Sequence, residues 1–215
     1  MDNEKGMIES GGRASLADVY RSRRDFLKGM MLGLAAAAAP ALLHHSALAA
    51  EAEGGRMLIV YFSHSGNTRQ LAGFIQERTG AEMVELKTVR PYPEDYNTVV
   101  EQARQEQRDN ARPEISISMP DLSAYDTVFI GYPNWWGTLP MPFFTLLERV
   151  NLAGKNVVPF CTHEGSRFGR SESDLKRLCP DARMLKGFEV RGSRVSGAGD
   201  DVSEWLNGLG LAGSR

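Results

Sequence analysis

Met57-Leu58-Ile59-Val60-Tyr61-Phe62-Ser63-His64-Ser65-Gly66-Asn67-Thr68 passes from an apolar run directly into a cluster of small polar residues. The apolar part shows no alternation of wet and dry positions, so it reads as a strand buried on both faces of a parallel sheet. Arg69-Gln70-Leu71-Ala72 then opens a helix. The polar residues therefore stand at a helix N-terminus, where free backbone N–H groups and the helix dipole attract an anion. The hydroxyls of Ser63, Ser65 and Thr68, the Asn67 amide and the flexible Gly66 suit a phosphate cradle, and His64 stands in the same loop as a candidate ligand-binding residue. The loop lacks the lysine of a Walker-type nucleotide site and the three-glycine spacing of a dinucleotide fold.

The same alternation continues along the chain. Thr127–Tyr132 and Asn156–Cys161 are further continuous apolar runs, and weaker strand signals lie at Ala81–Val89 and Met184–Val190. Between them, Tyr96, Val99, Val100 and Ala103 recur at helical spacing, as do Phe143, Leu146, Leu147 and Val150. Val202, Trp205, Leu206 and Leu209 repeat the pattern near the C-terminus, and Ser171 with Asp174 is predicted to form a capping box for a helix through Leu178. Residues 112–124, with Pro113 and Pro120, read as loop, and so does the glycine-rich segment Gly192–Gly199. Alternating strands and helices predict right-handed βαβ units, and hence a parallel sheet with helices on both faces. Ligands of such sheets bind beyond the carboxyl ends of the strands, at the point where the winding reverses.

Two more strand-end loops carry distinctive residues. Pro133-Asn134-Trp135-Trp136-Gly137-Thr138 places two adjacent Trp beside a Gly, and at least one of them is expected to seal the core. Thr162-His163-Glu164-Gly165-Ser166-Arg167-Phe168 follows the fourth strand. Ser63-x-Ser65-Gly66-Asn67-Thr68 resembles the FMN-phosphate loop of the flavodoxin family, [ST]-x-[ST]-G-x-T, and the resemblance extends over residues 57–209. It implies an α/β, three-layer sandwich with a five-stranded parallel sheet in the order 2-1-3-4-5, and FMN as cofactor. It further implies that Pro133, Asn134, Trp135, Trp136, Gly137 and Thr138 meet the flavin ring edge, with Gly137 the candidate for a flipping peptide. Thr162, His163, Gly165, Ser166 and Phe168 would cover the other face, and Arg167 is expected to project into solvent.

The chain has 215 residues, of which 42% are hydrophobic and 24% charged, with a net charge of −2. No clustered basic face marks it as a nucleic-acid binder. Its first 49 residues read separately. Ser22-Arg23-Arg24-Asp25-Phe26-Leu27-Lys28 resembles the twin-arginine export motif; an apolar, Ala-rich run to Leu43 follows, and Ala47-Leu48-Ala49 forms a cleavage site. That run is shorter than the roughly 18–20 residues a membrane span needs, so no permanent anchor is expected. Cleavage after Ala49 would leave 19 basic and 22 acidic side chains, net −3, with residues 50–56 a short linker and residues 57–210 one domain. The expected compartment is the periplasm or another exported location, reached through the twin-arginine translocase.

His64 and His163 are the only histidines after residue 49, and with no ligand cluster around them no metal is expected. Cys161 and Cys179 are placed at opposite ends of the sheet, which predicts two free thiols rather than a bridge. No acid–base catalytic set is expected either. The leading expectation is an FMN-binding flavodoxin-like protein that transfers electrons to a redox partner protein or a small acceptor such as a quinone. The alternative is an NAD(P)H-dependent FMN quinone or flavin reductase, and a third class is a flavin-free binding module. The modest charge of the mature chain mildly favours the reductase, since carriers that dock on basic partners gain from a stronger acidic field.

Overall fold

A computed structural model describes residues 55–213. The expected leader and its cleavage site lie outside the described residues. The predicted run of apolar residues forms β1 (Met57–Tyr61), and α1 (Asn67–Thr79) follows the polar loop. Next come β2 (Glu82–Glu85), β3 (Lys87–Thr88), α2 (Tyr96–Arg108), β4 (Ile115–Ser116) and β5 (Thr127–Pro133). The chain continues with α3 (Met141–Leu147), β6 (Asn156–His163), α4 (Ser171–Leu178), β7 (Arg183–Met184), β8 (Phe188–Arg191) and α5 (Gly199–Leu209).

The main sheet is parallel, in the order β2-β1-β5-β6, with β7 and β8 both pairing with β6 at the far edge. Taken as one interrupted strand, β7 and β8 complete the expected 2-1-3-4-5 order. Pro159 explains the interruption. The Leu185 N–H donates to the Val157 carbonyl at 2.9 Å, so position 157 faces the fifth strand, and position 159, two residues on, faces it too. Pro159 has no N–H to offer there. Gly187 fills the break, and a Cβ on it would lie 2.8 Å from the Pro159 carbonyl.

Buried residues alternate between the two faces. Leu58, Val60, Val128 and Ile130 pack under α3 and α4, whereas Ile59, Tyr61, Phe129, Val158 and Phe160 pack under α1 and α5. Each fully buried side chain of this size contributes roughly 1.5–3 kcal/mol. Two segments expected as loop are partly ordered into regular structure. Ile115–Ser116 pairs antiparallel with Lys87–Thr88, and Gly192–Gly197 is a 3-10 helix. Ile115, Ile117 and Met119 alternate with serines and pack on the core, a strand period that the flanking Pro113 and Pro120 obscure, whereas the 3-10 turn is built from local bonds and has no hydrophobic period. Among the described residues no helix is long and apolar enough to cross a membrane.

Cys161 and Cys179 are free and buried. Burial pushes both thiols up, Cys179 to about 11. A thiol-reactive dye is therefore expected to label neither in the native protein at pH 8 and both after unfolding. Fast native labelling of either would contradict their placement.

Candidate functional site

The three loops expected to bind a ligand converge beyond the carboxyl ends of β1, β5 and β6. They line one cavity of about 590 Å³, within the range of cofactor sites.

At its base, the residue that caps α1 has no side chain to offer. Gly66 occupies the cap position at φ 92°, a left-handed conformation that favours glycine. Ser63 is turned back, its hydroxyl accepting the Arg69 N–H at 3.2 Å. The first-turn N–H groups of Asn67 and Thr68 have no partner within their own helix. Asn67 and Ser65 line the cavity, so an anion there would meet the N-terminus of α1 with the Asn67 and Thr68 N–H groups unused by the helix. Thr68 does not reach the cavity. Its buried hydroxyl bonds to that of Thr162 at 2.8 Å and ties the first loop to the third.

The second loop splits the tryptophan pair. Trp135 is half-buried: it packs edge-on against Tyr92, Phe62 and His64, with centroids at 5.0, 5.3 and 6.0 Å, so it covers the core on one side while also lining the cavity. Trp136 is 45% exposed and leans on α2, its indole N–H donating to the Val100 carbonyl at 2.9 Å and its ring lying beneath the Arg104 guanidinium. Trp135–Thr138 is a tight turn with positive φ at both central residues, Trp136 (51°) and Gly137 (85°). A tryptophan in that conformation is costly and persists only where its surroundings dictate it. Here Gly137 donates to the Asn134 side-chain oxygen at 2.9 Å and accepts from the Arg170 N–H at 2.8 Å. Both polar groups of Gly137 are thus engaged, and it does not line the cavity.

Thr138 also faces inward, donating to Asp174 at 2.6 Å. This corrects the expected capping box. Ser171 is the first residue of α4 and fully buried, accepting from the Tyr132 hydroxyl at 2.8 Å and donating to the Phe168 carbonyl at 2.6 Å. Asp174 is used instead to anchor the tryptophan turn. Burial pushes its carboxyl up, but the Thr138 hydroxyl with Arg177 and Arg170 holds it below the ordinary range. A group so lowered stabilises the fold above its unfolded value and loses that contribution as pH falls through the folded value. Replacing Asp174 by Ala should cost about 1–2 kcal/mol at pH 7, mostly through the buried Thr138 bond, because exposed ion pairs add little. Urea unfolding at pH 7 and pH 3 checks this: the gap between variant and wild type should narrow at pH 3, and an unchanged gap would contradict it.

The third loop lines the cavity through Thr162, His163, Glu164, Gly165 and Ser166. Phe168 lies behind it, packed on the core. His64 bonds through Nε2 to the Pro93 carbonyl at 2.8 Å, and His163 through Nε2 to the Glu189 carboxylate. Among the described residues no group of three or more His, Cys, Asp or Glu could hold a metal ion. Arg167, expected in solvent, is exposed yet paired with Glu189 at 2.6 Å.

One wall was not anticipated as part of the site. Tyr96, Val99, Val100 and Ala103 of α2 face the cavity. Their helical spacing was legible, but it did not distinguish a wall of the site from a core face. Gly192 is also at the site: a Cβ there would lie 2.5 Å from the Glu164 carboxylate and 2.6 Å from the Asn67 amide.

A winding-reversal cavity with a helix N-terminus below and two tryptophans on its wall defines a flavodoxin-like α/β protein. The chain belongs to the flavodoxin family, whose family model, described as Flavodoxin, matches residues 56–209. A candidate flavoprotein from Bacteroides eggerthii is 30% identical with a TM-score of 0.62, covering 74% of this chain and 99% of its own. Another from Bacteroides uniformis is 28% identical with a TM-score of 0.64, covering 72% and 99%. A flavoprotein from Lactobacillus acidophilus in complex with FMN is 25% identical with a TM-score of 0.56, covering 67% and 98%. A search of curated proteins finds no match.

Proposed function

We propose that this chain is an FMN-binding redox protein that passes electrons through bound flavin, and that it is exported in folded form. The observation that carries the reading is convergence: the N-terminus of α1, with its Asn67 and Thr68 N–H groups unused by the helix, and the tryptophan turn open onto one cavity. The residues present fit the group. Ser65, Asn67 and the first-turn N–H groups would hold the phosphate, and Trp136 with the Thr162–Ser166 loop would flank the ring. Bound FMN would supply the capacity to accept and release electrons. The chain's own residues orient the ring and exclude water from it.

Family membership and the FMN complex of the Lactobacillus acidophilus relative support the cofactor. The twin-arginine motif at Arg23-Arg24 supports export, since that route carries folded proteins and would let a flavin travel inside its fold. The partner would be a redox protein or a small acceptor such as a quinone.

A second reading, an NAD(P)H-dependent FMN reductase, draws on the exposed rings at the cavity mouth. Tyr96 is 74% exposed and Trp136 45%, which leaves an apolar rim where a second planar molecule could rest. Purified protein mixed with NADPH and a quinone separates the two. The carrier reading expects a yellow protein with negligible NADPH oxidation until a reductase is added; rapid turnover by the protein alone would replace it with the reductase reading.

A further inference from the structure

We propose that Glu189, on β8, is a positioning residue that staples both ends of the loop facing the flavin. This rests on the FMN reading of the cavity. Glu189 stands in register with Cys161, two residues before His163 on the neighbouring strand β6. Its carboxylate takes His163 Nε2 from one end of the loop and, through the other oxygen, Arg167 Nη2 at 2.6 Å from the opposite end. Between these anchors, Glu164, Gly165 and Ser166 line the cavity.

The hydrogen bonds fix the chemistry of the staple. His163 Nδ1 accepts the Gly165 N–H at 2.9 Å, so in neutral His163 the ring proton sits on Nε2 and points at Glu189. The carboxylate therefore selects the tautomer that holds the Gly165 amide. At the far end, the Arg167 backbone is at φ 51°, an uncommon conformation for a side-chain-bearing residue. The Arg167 carbonyl accepts from the Asn134 side chain at 2.7 Å, and the same Asn134 side chain accepts from Gly137. One carboxylate thus governs the third loop and, through Asn134, reaches the tryptophan turn. The shielding supports this role at the His163 end: the Glu189 side chain is 18% exposed and the His163 side chain 7%, so that contact is not a mobile surface pair, whereas Arg167 is 76% exposed and forms the weaker end of the staple.

Glu189→Ala and Glu189→Gln in the full chain test the staple with two readouts. Two-bond proton–nitrogen NMR of the flavin-free protein reports the His163 tautomer, assigned by difference against His163→Asn. FMN titration reports affinity. Glu189→Ala is expected to lose the single Nε2–H pattern and to weaken FMN binding about tenfold. Glu189→Gln, whose amide oxygen still accepts from Nε2–H, is expected to keep the tautomer and recover part of the affinity. An unchanged His163 pattern in Glu189→Ala, or unchanged FMN affinity beside an altered pattern, would overturn the proposal. Failure of the wild-type chain to bind FMN would remove the functional reading, while the tautomer readout would still decide whether Glu189 holds the loop.

Discussion

Replacing Gly131 by Ala is expected to destabilise the fold by about 3 kcal/mol. Gly131 pairs in register with Phe160 on the neighbouring strand β6, and a Cβ built on it falls 1.9 Å from the ring's Cζ and within 2.6 Å of two further ring atoms. Real Cβ atoms do not approach that closely, so the ring would have to leave its place. Phe160 is fully buried under α1 and α5, where there is no room for it to turn. Three kcal/mol in a domain of this size corresponds to a fall of roughly 6–12 °C in Tm. Calorimetry checks the single variant, and pairing it with Phe160→Leu checks the cause. The double variant should recover part of the loss, because the smaller side chain clears the new methyl. A Gly131→Ala protein within 1 °C of wild type would show that the ring does not occupy this space.

Asn67→Asp is expected to weaken FMN binding by about two to three orders of magnitude while leaving the fold intact. Asn67 is the first residue of α1 and lines the cavity. An aspartate has the same shape and is favoured at a helix N-terminus by the dipole, so unfolding should not confuse the result. It would also set a second carboxylate beside Glu164 in the region that would receive a phosphate. Two like charges a few ångströms apart near a protein surface repel by about 4 kcal/mol, which is roughly a thousandfold in affinity. Riboflavin, which carries no phosphate, should bind the variant much as it binds wild type. Equal losses for both flavins would place the phosphate elsewhere.

Much of the fold was legible because its strands are continuous apolar runs and its helices keep a clear period. Met57–Phe62 and Asn156–Cys161 predicted β1 and β6 to within two residues at their ends. What escaped were features set by partners distant in sequence. The break between β7 and β8 lies opposite Pro159, whose effect on the fifth strand depends on which way its missing N–H would point. Ile115–Ser116 opens an alternating run, Ile115, Ile117 and Met119, that the flanking Pro113 and Pro120 obscured, and its pairing with Lys87–Thr88 lies far away in sequence. The Ser171/Asp174 pattern matched a capping box, but Tyr132 and Thr138 claimed those side chains first.

The site shows the same division. The loop sequences placed Ser65, Asn67, Asn134, Trp136 and His163 on one cavity, because strand ends in this architecture converge. They did not separate the two tryptophans: both line the cavity, and only the aromatic neighbours of Trp135 show that it also covers the core. Nor did they point to Glu189, an ordinary acidic residue on an edge strand until His163 and Arg167 are seen to share it.

Titration of the full chain with FMN and, in parallel, with riboflavin tests the central claim most directly. The N-terminus of α1 is the feature that would distinguish them, and charge-assisted bonds to a phosphate should be worth about a hundredfold in affinity. The account predicts tight FMN binding with quenched flavin fluorescence and riboflavin binding weaker by about that factor. No FMN binding, or equal affinity for the two flavins, would contradict it.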